Sequence, residues 1–215
     1  MIKISVKGLA KFMTASPAGQ RRVLKEFKFP DDDEPRAMRL YYGEAVDAIK
    51  GYHNLEVPDR QWLLDQSQLI NQLASVLGGQ SAVRLRNNGR AVKQYSDSFH
   101  HRKFTILTDL RMALVHGDVR ITVVPDLHVK EGNKEKIVKL DFSRSGAEEA
   151  QLRIISQCMF EAFRAEHGAI TPSAVLYLAV ASGAEHRGAR VGARVLADVR
   201  AACENIGALW NSITR

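Results

Sequence analysis

The sequence predicts an α/β fold of the α+β kind, with a mixed sheet of about four core strands flanked by helices. Two runs within residues 118–143 alternate apolar and polar side chains, and a period of two is typical of half-buried strands. Residues 175–180 form a continuous apolar run, which favours a strand buried on both faces. Most of the remaining chain shows helical periodicity, so helices are expected on the faces of this sheet.

Three helices are predicted ahead of the sheet, over residues 17–27, 35–53 and 58–77. Ser16 and Pro17 form an N-cap followed by proline at the first helical position. The second helix follows the acidic run 31–34, which the helix dipole favours at that end. The third helix ends at Gly78. Its side chains expected to face inward are Trp62, Leu63, Leu69, Ile70, Leu73 and Leu77. We take residues 1–57 as an N-terminal helical extension and residues 58–215 as the α/β core.

The dipeptide Asn88-Gly89 predicts a β-hairpin between strands at residues 82–86 and 90–95, because a primed turn needs positive φ at both central positions. This hairpin would be a basic insertion suited to a phosphate backbone, with Tyr95 placed to stack on a base. A loosely ordered polar loop is the alternative. The candidate nucleic-acid-binding residues of the hairpin are Arg84, Arg86, Arg90 and Lys93.

The second half of the chain is predicted to contain strands at residues 111–116, 118–130, 136–143 and 175–180, with helices at 146–167 and 189–209. Residues 183–188 follow the buried strand and have the composition of an anion-binding turn between a strand and a helix. Arg187 and Arg190 lie at the N-terminal end of the last helix in this prediction. They are therefore further candidates for binding a nucleic-acid phosphate.

The two alternating runs are expected to place four polar side chains on one shared face of an antiparallel pair: Asp126, His128, Lys139 and Asp141. Paired carboxylates beside a lysine suit metal-assisted phosphodiester cleavage, since divalent cations take hard oxygen ligands. Asp126 and Asp141 are the candidate metal ligands, and His128 is a candidate base. The alternative is the polar outer face of an ordinary antiparallel sheet.

Composition favours a polyanionic partner. The formal net charge is +7 and the sequence pI is about 9.5. No apolar run is long enough to span a bilayer, so no membrane partner is expected. The start of the chain has no secretory signal pattern, which predicts a cytoplasmic location. Two cysteines, Cys158 and Cys203, supply neither a disulfide framework nor a zinc-binding spacing.

From residue 58 to 180 the predicted order of elements resembles the core of the PD-(D/E)XK nuclease-like superfamily. Pro125-Asp126 on the second core strand is similar to the PD element, and Lys139 on the third is similar to its lysine. The resemblance implies a nuclease fold that uses Mg²⁺ or Mn²⁺ when active. The family places an acid two residues before the lysine, where this chain has Ile137. Asp141, Glu135, or Glu148 and Glu149 from the following helix are the acids that could replace it. Glu44 or Asp47 could add the further acid that some relatives supply.

The sequence therefore predicts a nucleic-acid-binding protein on a degenerate nuclease-like fold, acting as a binding or scaffolding subunit, with DNA favoured over RNA. The first alternative is a metal-dependent DNA endonuclease or exonuclease with a migrated acid, in which Asp126, Lys139, Asp141 and His128 are catalytic. The second alternative is a protein-interaction or regulatory subunit without nucleic-acid contact. A partner protein or a homo-oligomer is compatible with either binding role.

Overall fold

The computed structural model describes residues 1–30, 41–189 and 192–214. Its helices are α1 Val6–Thr14, α2 Pro17–Lys28, α3 Gly43–His53, α4 Arg60–Val76, α5 Gly79–Phe99, α6 Glu149–His167 and α7 Ala193–Trp210. Its strands are β1 Ile2–Ser5, β2 Phe104–Ile106, β3 Met112–His116, β4 Val119–Val123, β5 Leu127–Glu131, β6 Lys134–Asp141, β7 Val175–Ala179 and β8 Ala184–Arg187. The α/β class is confirmed.

The strands form two mixed sheets rather than one sheet of about four strands. The smaller sheet has the order β1-β4-β3, and the larger has the order β2-β5-β6-β7-β8. β1 pairs in parallel with β4, and β6 pairs in parallel with β7. The predicted single strand over residues 118–130 is wrong, because it ends at Val123 and a new strand begins at Leu127. Pro125, which cannot donate to a strand ladder, lies at this break, and the two halves join different sheets.

The N-terminal residues form a strand before the first helix begins. Ile2–Ser5 pairs with Val119–Thr122 of β4, and Ile4 is 2% exposed. The Ser5 hydroxyl then accepts from Gly8 N and caps α1. A four-residue strand offers only two alternations of polarity, which is too short a pattern to separate from a loop. The segment 1–57, predicted as a helical extension, therefore contains a strand that the prediction did not include.

The predicted helices α2 and α4 are confirmed, as are the long helix α6 and the buried strand β7. On α4, however, Leu69, Leu73 and Leu77 are exposed, so their predicted inward orientation is wrong. All five residues of β7 are buried. α6 ends at Gly168, whose φ of 95° lies in the left-handed region that favours glycine. The predicted second helix is observed from Gly43 onward, and its predicted start at residues 35–40 lies outside the described residues.

The predicted β-hairpin around Asn88 and Gly89 is wrong, because both residues lie in the middle of helix α5. The Asn88 side chain is buried and accepts from Ala45 N at 2.9 Å, while its amide donates to Arg84 O at 2.9 Å. A Cβ atom at Gly89 would lie 2.6 Å from Asn71 Oδ1, so glycine allows α4 to approach closely. The dipeptide therefore serves helix packing instead of a turn.

The predicted anion-binding turn after β7 is also wrong. Residues 184–187 form strand β8, which pairs antiparallel with β7. Helix α7 begins only at Ala193. Arg187 is therefore a strand residue, and its guanidinium donates to Glu185 at 2.5 Å. Arg190 lies outside the described residues.

The larger sheet lies between two apolar layers. Ile137, Val175 and Tyr177 pack on one face with the smaller sheet and with α1, α2, α6 and α7. Val138 and Leu176 pack on the other face with α3, α4 and α5. The predicted boundary between residues 57 and 58 stays a prediction, although α3 and α4 on its two sides share the second layer. Across the described ranges, no helix combines the length and the apolar character needed to cross a bilayer.

Candidate functional site

The expected shared face of β5 and β6 is confirmed. His128 pairs with Ile137 and Leu127 pairs with Val138, so residues 126, 128, 137, 139 and 141 alternate onto one side of the sheet. Val138 on the other side is fully buried. The shared face is not a solvated surface, however, because Ile137 is also fully buried. Its polar side chains therefore lie at the end of a buried face.

Asp126 and Lys139 form an ion pair where the chain passes from the smaller sheet to the larger one. Lys139 Nζ lies 3.0 Å from Asp126 Oδ1 and donates to Val124 O at 3.1 Å. Leu140 N donates to Asp126 Oδ2 at 2.7 Å. The Asp126 carboxylate thus replaces a backbone acceptor at the start of β5, while Lys139 holds the preceding turn. Both side chains stabilise the junction between the two sheets.

Asp141 forms a second ion pair beside the first. Lys7 Nζ lies 3.3 Å from Asp141 Oδ1, and the Tyr177 hydroxyl donates to Asp141 Oδ2 at 2.6 Å. Ser143 adds hydrogen bonds from its backbone N and its hydroxyl. We call Lys7, Asp126, Lys139, Asp141 and Tyr177 the strand-end cluster.

Opposing effects act on the ionisation of this cluster. Burial favours the neutral form of Asp141, but the Lys7 charge and the donors Tyr177 and Ser143 outweigh it and lower the pKa of Asp141. Burial lowers the pKa of Lys7 although Asp141 opposes this shift. Burial and the Asp141 carboxylate raise the pKa of Tyr177. Asp141 is therefore held as a carboxylate that accepts hydrogen bonds.

Lys7 and Tyr177 were missed by reasoning from sequence. Lys7 lies in the first turn of α1, and its proximity follows from the parallel pairing of β1 with β4, which no local pattern indicates. Tyr177 had a detectable signal, since it is the one hydroxyl-bearing residue in the apolar run 175–180. A buried tyrosine hydroxyl usually finds a hydrogen-bond partner.

The His128 side chain makes its hydrogen bonds outside the strand-end cluster. Its Nδ1 lies 2.8 Å from Thr108 O, and its Nε2 lies 2.6 Å from Glu135 Oε1. Glu135 is thus taken up by His128 and does not replace the acid missing at Ile137.

The other candidate acids are also placed elsewhere. Glu44 pairs with Arg84 at 2.7 Å, and Glu149 pairs with Arg153 on the surface of α6. Glu148 is the N-cap residue of α6. Asp47 lies on the exposed side of α3.

The strand-end cluster does not fit a divalent cation. Every carboxylate oxygen of Asp126 and Asp141 already accepts from a protein donor, and the ammonium groups of Lys139 and Lys7 each bind one of these oxygens. Mg²⁺ and Mn²⁺ need several hard oxygen ligands. In the part of the chain that the structure describes, no three His, Cys, Asp or Glu side chains gather closely enough to hold a metal ion.

Three of the candidate nucleic-acid-binding residues share one exposed face of α5. Arg86, Arg90 and Lys93 are exposed and follow one another at spacings of four and three, which places them on one side of a helix. We call these three residues the basic stripe. Arg84 lies to the side and pairs with Glu44 at 2.7 Å. Tyr95 is fully buried against His53, so it cannot stack on a base as the hairpin prediction required.

Few acids neutralise the basic stripe. Arg90 donates to the neutral Asn87 side chain at 2.7 Å. Lys93 lies 3.8 Å from Asp97, which also pairs with Arg60. Among residues 1–30, 41–189 and 192–214, no carboxylate lies within ion-pairing distance of Arg86 or Arg90. The stripe therefore presents positive charge to solvent.

No protein-family model matches the chain, and no curated protein sequence is significantly similar to it.

Proposed function

We propose that this protein binds nucleic acid, DNA in preference to RNA, through the basic stripe of α5 and does not cleave it. At a helical rise of about 1.5 Å per residue, Arg86 and Lys93 are separated by about 10 Å along α5. Successive phosphates of one DNA strand advance by about 3.4 Å along the duplex axis. The stripe therefore has the length to contact about three phosphates. It also lies in an acid-free segment, since residues 66–96 contain no Asp or Glu.

The residues in and beside the strand-end cluster support the proposal that the protein does not cleave nucleic acid. Ile137 occupies the position of the family's second acid and is fully buried. The oxygens of Asp126 and Asp141 are committed to lysine, tyrosine, serine and backbone donors. The resemblance to nuclease-like proteins then supports a binding or scaffolding subunit. We place this role in the cytoplasm, since Cys158 and Cys203 are both free thiols.

The basic stripe is tested by neutralising it. We expect the triple variant Arg86→Gln, Arg90→Gln, Lys93→Gln to bind duplexes of unrelated sequence more weakly by a similar factor. The slope of log K against log salt should fall by about 3, because each phosphate contact contributes about 0.9 to it. Fluorescence anisotropy with labelled duplex DNA, single-stranded DNA and RNA at several salt concentrations measures both quantities.

A matched control is available on α2, where Arg21, Arg22 and Lys25 are also exposed. The triple change of these residues to glutamine removes the same charge from another surface and should leave most of the binding intact. Equal losses in the two triple variants would show a diffuse charge effect. Binding unaffected by the α5 changes would reject the basic stripe, and absence of binding at low salt would reject the proposed function.

A separate assay tests the alternative that the protein is a metal-dependent nuclease. Plasmid and single-stranded substrates incubated with the protein and Mg²⁺ or Mn²⁺ should remain intact. Cleavage abolished by both Asp126→Ala and Lys139→Ala would overturn the binding-only proposal. Cleavage that neither change affects would place the activity outside the strand-end cluster.

A further inference from the structure

Three aromatic rings meet beside the basic stripe, where the segment before α3 contacts the end of β6. The rings of Tyr42 and Phe142 are stacked, with centroids 4.6 Å apart and an angle of 29° between their planes. Tyr41 contacts Tyr42 edge to face, with centroids 5.0 Å apart. All three residues are half-buried, so each keeps part of its surface in contact with solvent. We call these three residues the aromatic cluster.

The core holds the stacked pair of the aromatic cluster in place. Tyr42 and Phe142 pack against the second apolar layer, the one formed with α3, α4 and α5. Rings that are already held by the core lose little conformational freedom when a flat ligand stacks on their exposed part. The pair is therefore preorganised for stacking.

Hydrogen bonds connect the aromatic cluster to the basic stripe. Arg90 donates to the Asn87 side chain at 2.7 Å, and Asn87 in turn donates to the Tyr41 hydroxyl at 2.6 Å. A second arginine, Arg144, is exposed in the loop that follows β6. Burial raises the pKa of Tyr42, and the positive charges of Arg90 and Arg144 oppose this rise. Both arginines therefore lie close enough to Tyr42 to act on its hydroxyl.

Acids do not neutralise the arginines beside the aromatic cluster. Two acids close to the cluster in sequence are already paired, Glu44 with Arg84 at 2.7 Å and Asp141 with Lys7 at 3.3 Å. Across residues 1–30, 41–189 and 192–214, neither arginine beside Tyr42 has a carboxylate within ion-pairing distance. Exposed rings next to free arginines suit a ligand that combines a flat ring with negative charge, as a nucleotide does.

We propose that the aromatic cluster stacks an unpaired base of a DNA strand whose phosphates contact the basic stripe. A base inside a duplex is stacked on its neighbours and cannot reach a protein ring, whereas a base in a single-stranded gap can. This inference rests on the proposed function and adds its substrate class, which is duplex DNA interrupted by a single-stranded segment. Stacking of one base on an aromatic side chain contributes about fivefold or more to affinity.

The test compares three labelled probes by fluorescence anisotropy. They are an intact duplex, the same duplex with a single-stranded gap of about six nucleotides, and the gapped duplex with abasic sugars in the gap. The native chain should bind the gap with bases about fivefold or more tightly than the abasic gap. In Phe142→Leu this ratio should fall to about one, because the ring is lost while the phosphate contacts remain. Affinity of this variant for the intact duplex should change by less than about twofold.

Phe29→Leu is the matched control on another surface. Phe29 is also half-buried, packs against the first apolar layer and lies beside a cation, since Lys28 Nζ is 5.6 Å from its ring centroid. This variant should keep the native preference for the gap with bases. Circular dichroism and thermal unfolding compare the folding of the two leucine variants, because both rings pack partly on the core.

Two measurements on the native chain decide the question even if Phe142→Leu does not fold. The first is the affinity ratio between the two gapped probes. The second is photocrosslinking of a gap that carries 5-iodouracil, followed by mass spectrometry of the protein. The crosslinked base should be attached to the peptides that contain Tyr41, Tyr42 or Phe142.

Three results overturn the inference and leave the proposed function intact. These are equal affinity of the native chain for the two gapped probes, equal loss of base preference in the two leucine variants, or crosslinks outside the aromatic cluster. Absence of binding to all three probes at low salt rejects the proposed function, and this inference with it.

Discussion

Asn88 joins α3 to α5 through a single side chain. Its oxygen accepts from Ala45 N at the start of α3, and its amide donates to Tyr41 O at 2.5 Å and to Arg84 O at 2.9 Å. The side chain is fully buried. All three partners are backbone groups, two of them belonging to a different segment of the chain. Asn88 therefore satisfies polar groups that would otherwise have no water to bind.

Asn88→Ala should destabilise the protein strongly. It leaves Ala45 N and Tyr41 O without their partner, and a buried unsatisfied group costs about 1–3 kcal/mol. We expect a loss of roughly 2–5 kcal/mol in the free energy of unfolding, measured by urea denaturation. Asn205→Ala is the control, since Asn205 is an exposed helical asparagine on α7. Equal stabilities of the two variants would contradict the role given to Asn88.

The same side chain shows why a strong local signal failed. Asparagine favours turns because its short amide binds nearby backbone groups. Here the amide binds backbone groups of another segment, and Gly89 serves a close approach of α4. The prediction that Asp126 and Lys139 share one face of the sheet was correct, because the alternation of side chains along a strand depends only on neighbours in the chain. It could not find Lys7, whose position depends on pairing between residues more than a hundred positions apart.

Strand β1 is an integral part of the smaller sheet. Ile4 pairs with Ile121 and packs in the first apolar layer, whereas Lys3 pairs with Arg120 on the exposed side. Strand alternation thus separates a core residue from a surface residue one position apart.

Ile4→Ala should lower the free energy of unfolding by about 2–4 kcal/mol, because truncating a buried isoleucine leaves a cavity in the core. Lys3→Ala should change it by less than about 0.5 kcal/mol. Chemical denaturation of the two variants measures the difference. If both substitutions were neutral, the N-terminal residues would be a peripheral extension.

Among the elements, those with long or unbroken patterns could be predicted. α4, α6 and β7 have apolar patterns over many residues or along a continuous run. β8 could not be predicted, since Ala184–Arg187 has no alternation of its own and becomes a strand by pairing with β7. The split of β4 from β5 was signalled by Pro125, but membership of two different sheets is decided by long-range pairing.

The stability of the whole molecule should depend on pH through His53. This residue is 5% exposed, and its Nε2 lies 2.7 Å from the Tyr95 hydroxyl. Burial lowers the pKa of His53 to about 4, and the charge of Arg102 acts in the same direction. An unfolded histidine has a pKa of about 6.5. The unfolded chain therefore binds this proton at a higher pH than the folded chain.

Stability should be fully present above pH 6.5 and should be lost as pH falls from 6.5 to 4, by roughly 3 kcal/mol in total. Below pH 4 this contribution is constant, because both states are protonated. Urea denaturation from pH 4 to 7 measures the loss. In His53→Gln this part of the pH dependence should disappear, while the exposed control His101→Gln should retain it. The same slope in all three proteins would show that His53 does not couple stability to pH.

The strand-end cluster also bears on the electrostatic field of the molecule at long range. Two lysines pair with two aspartates there, so the cluster itself carries no net charge. The surplus of +7 comes from charged residues outside this cluster. A polyanion beyond a Debye length of about 8–10 Å responds only to that uncancelled charge. The strand-end cluster therefore contributes nothing to the long-range attraction of a polyanion.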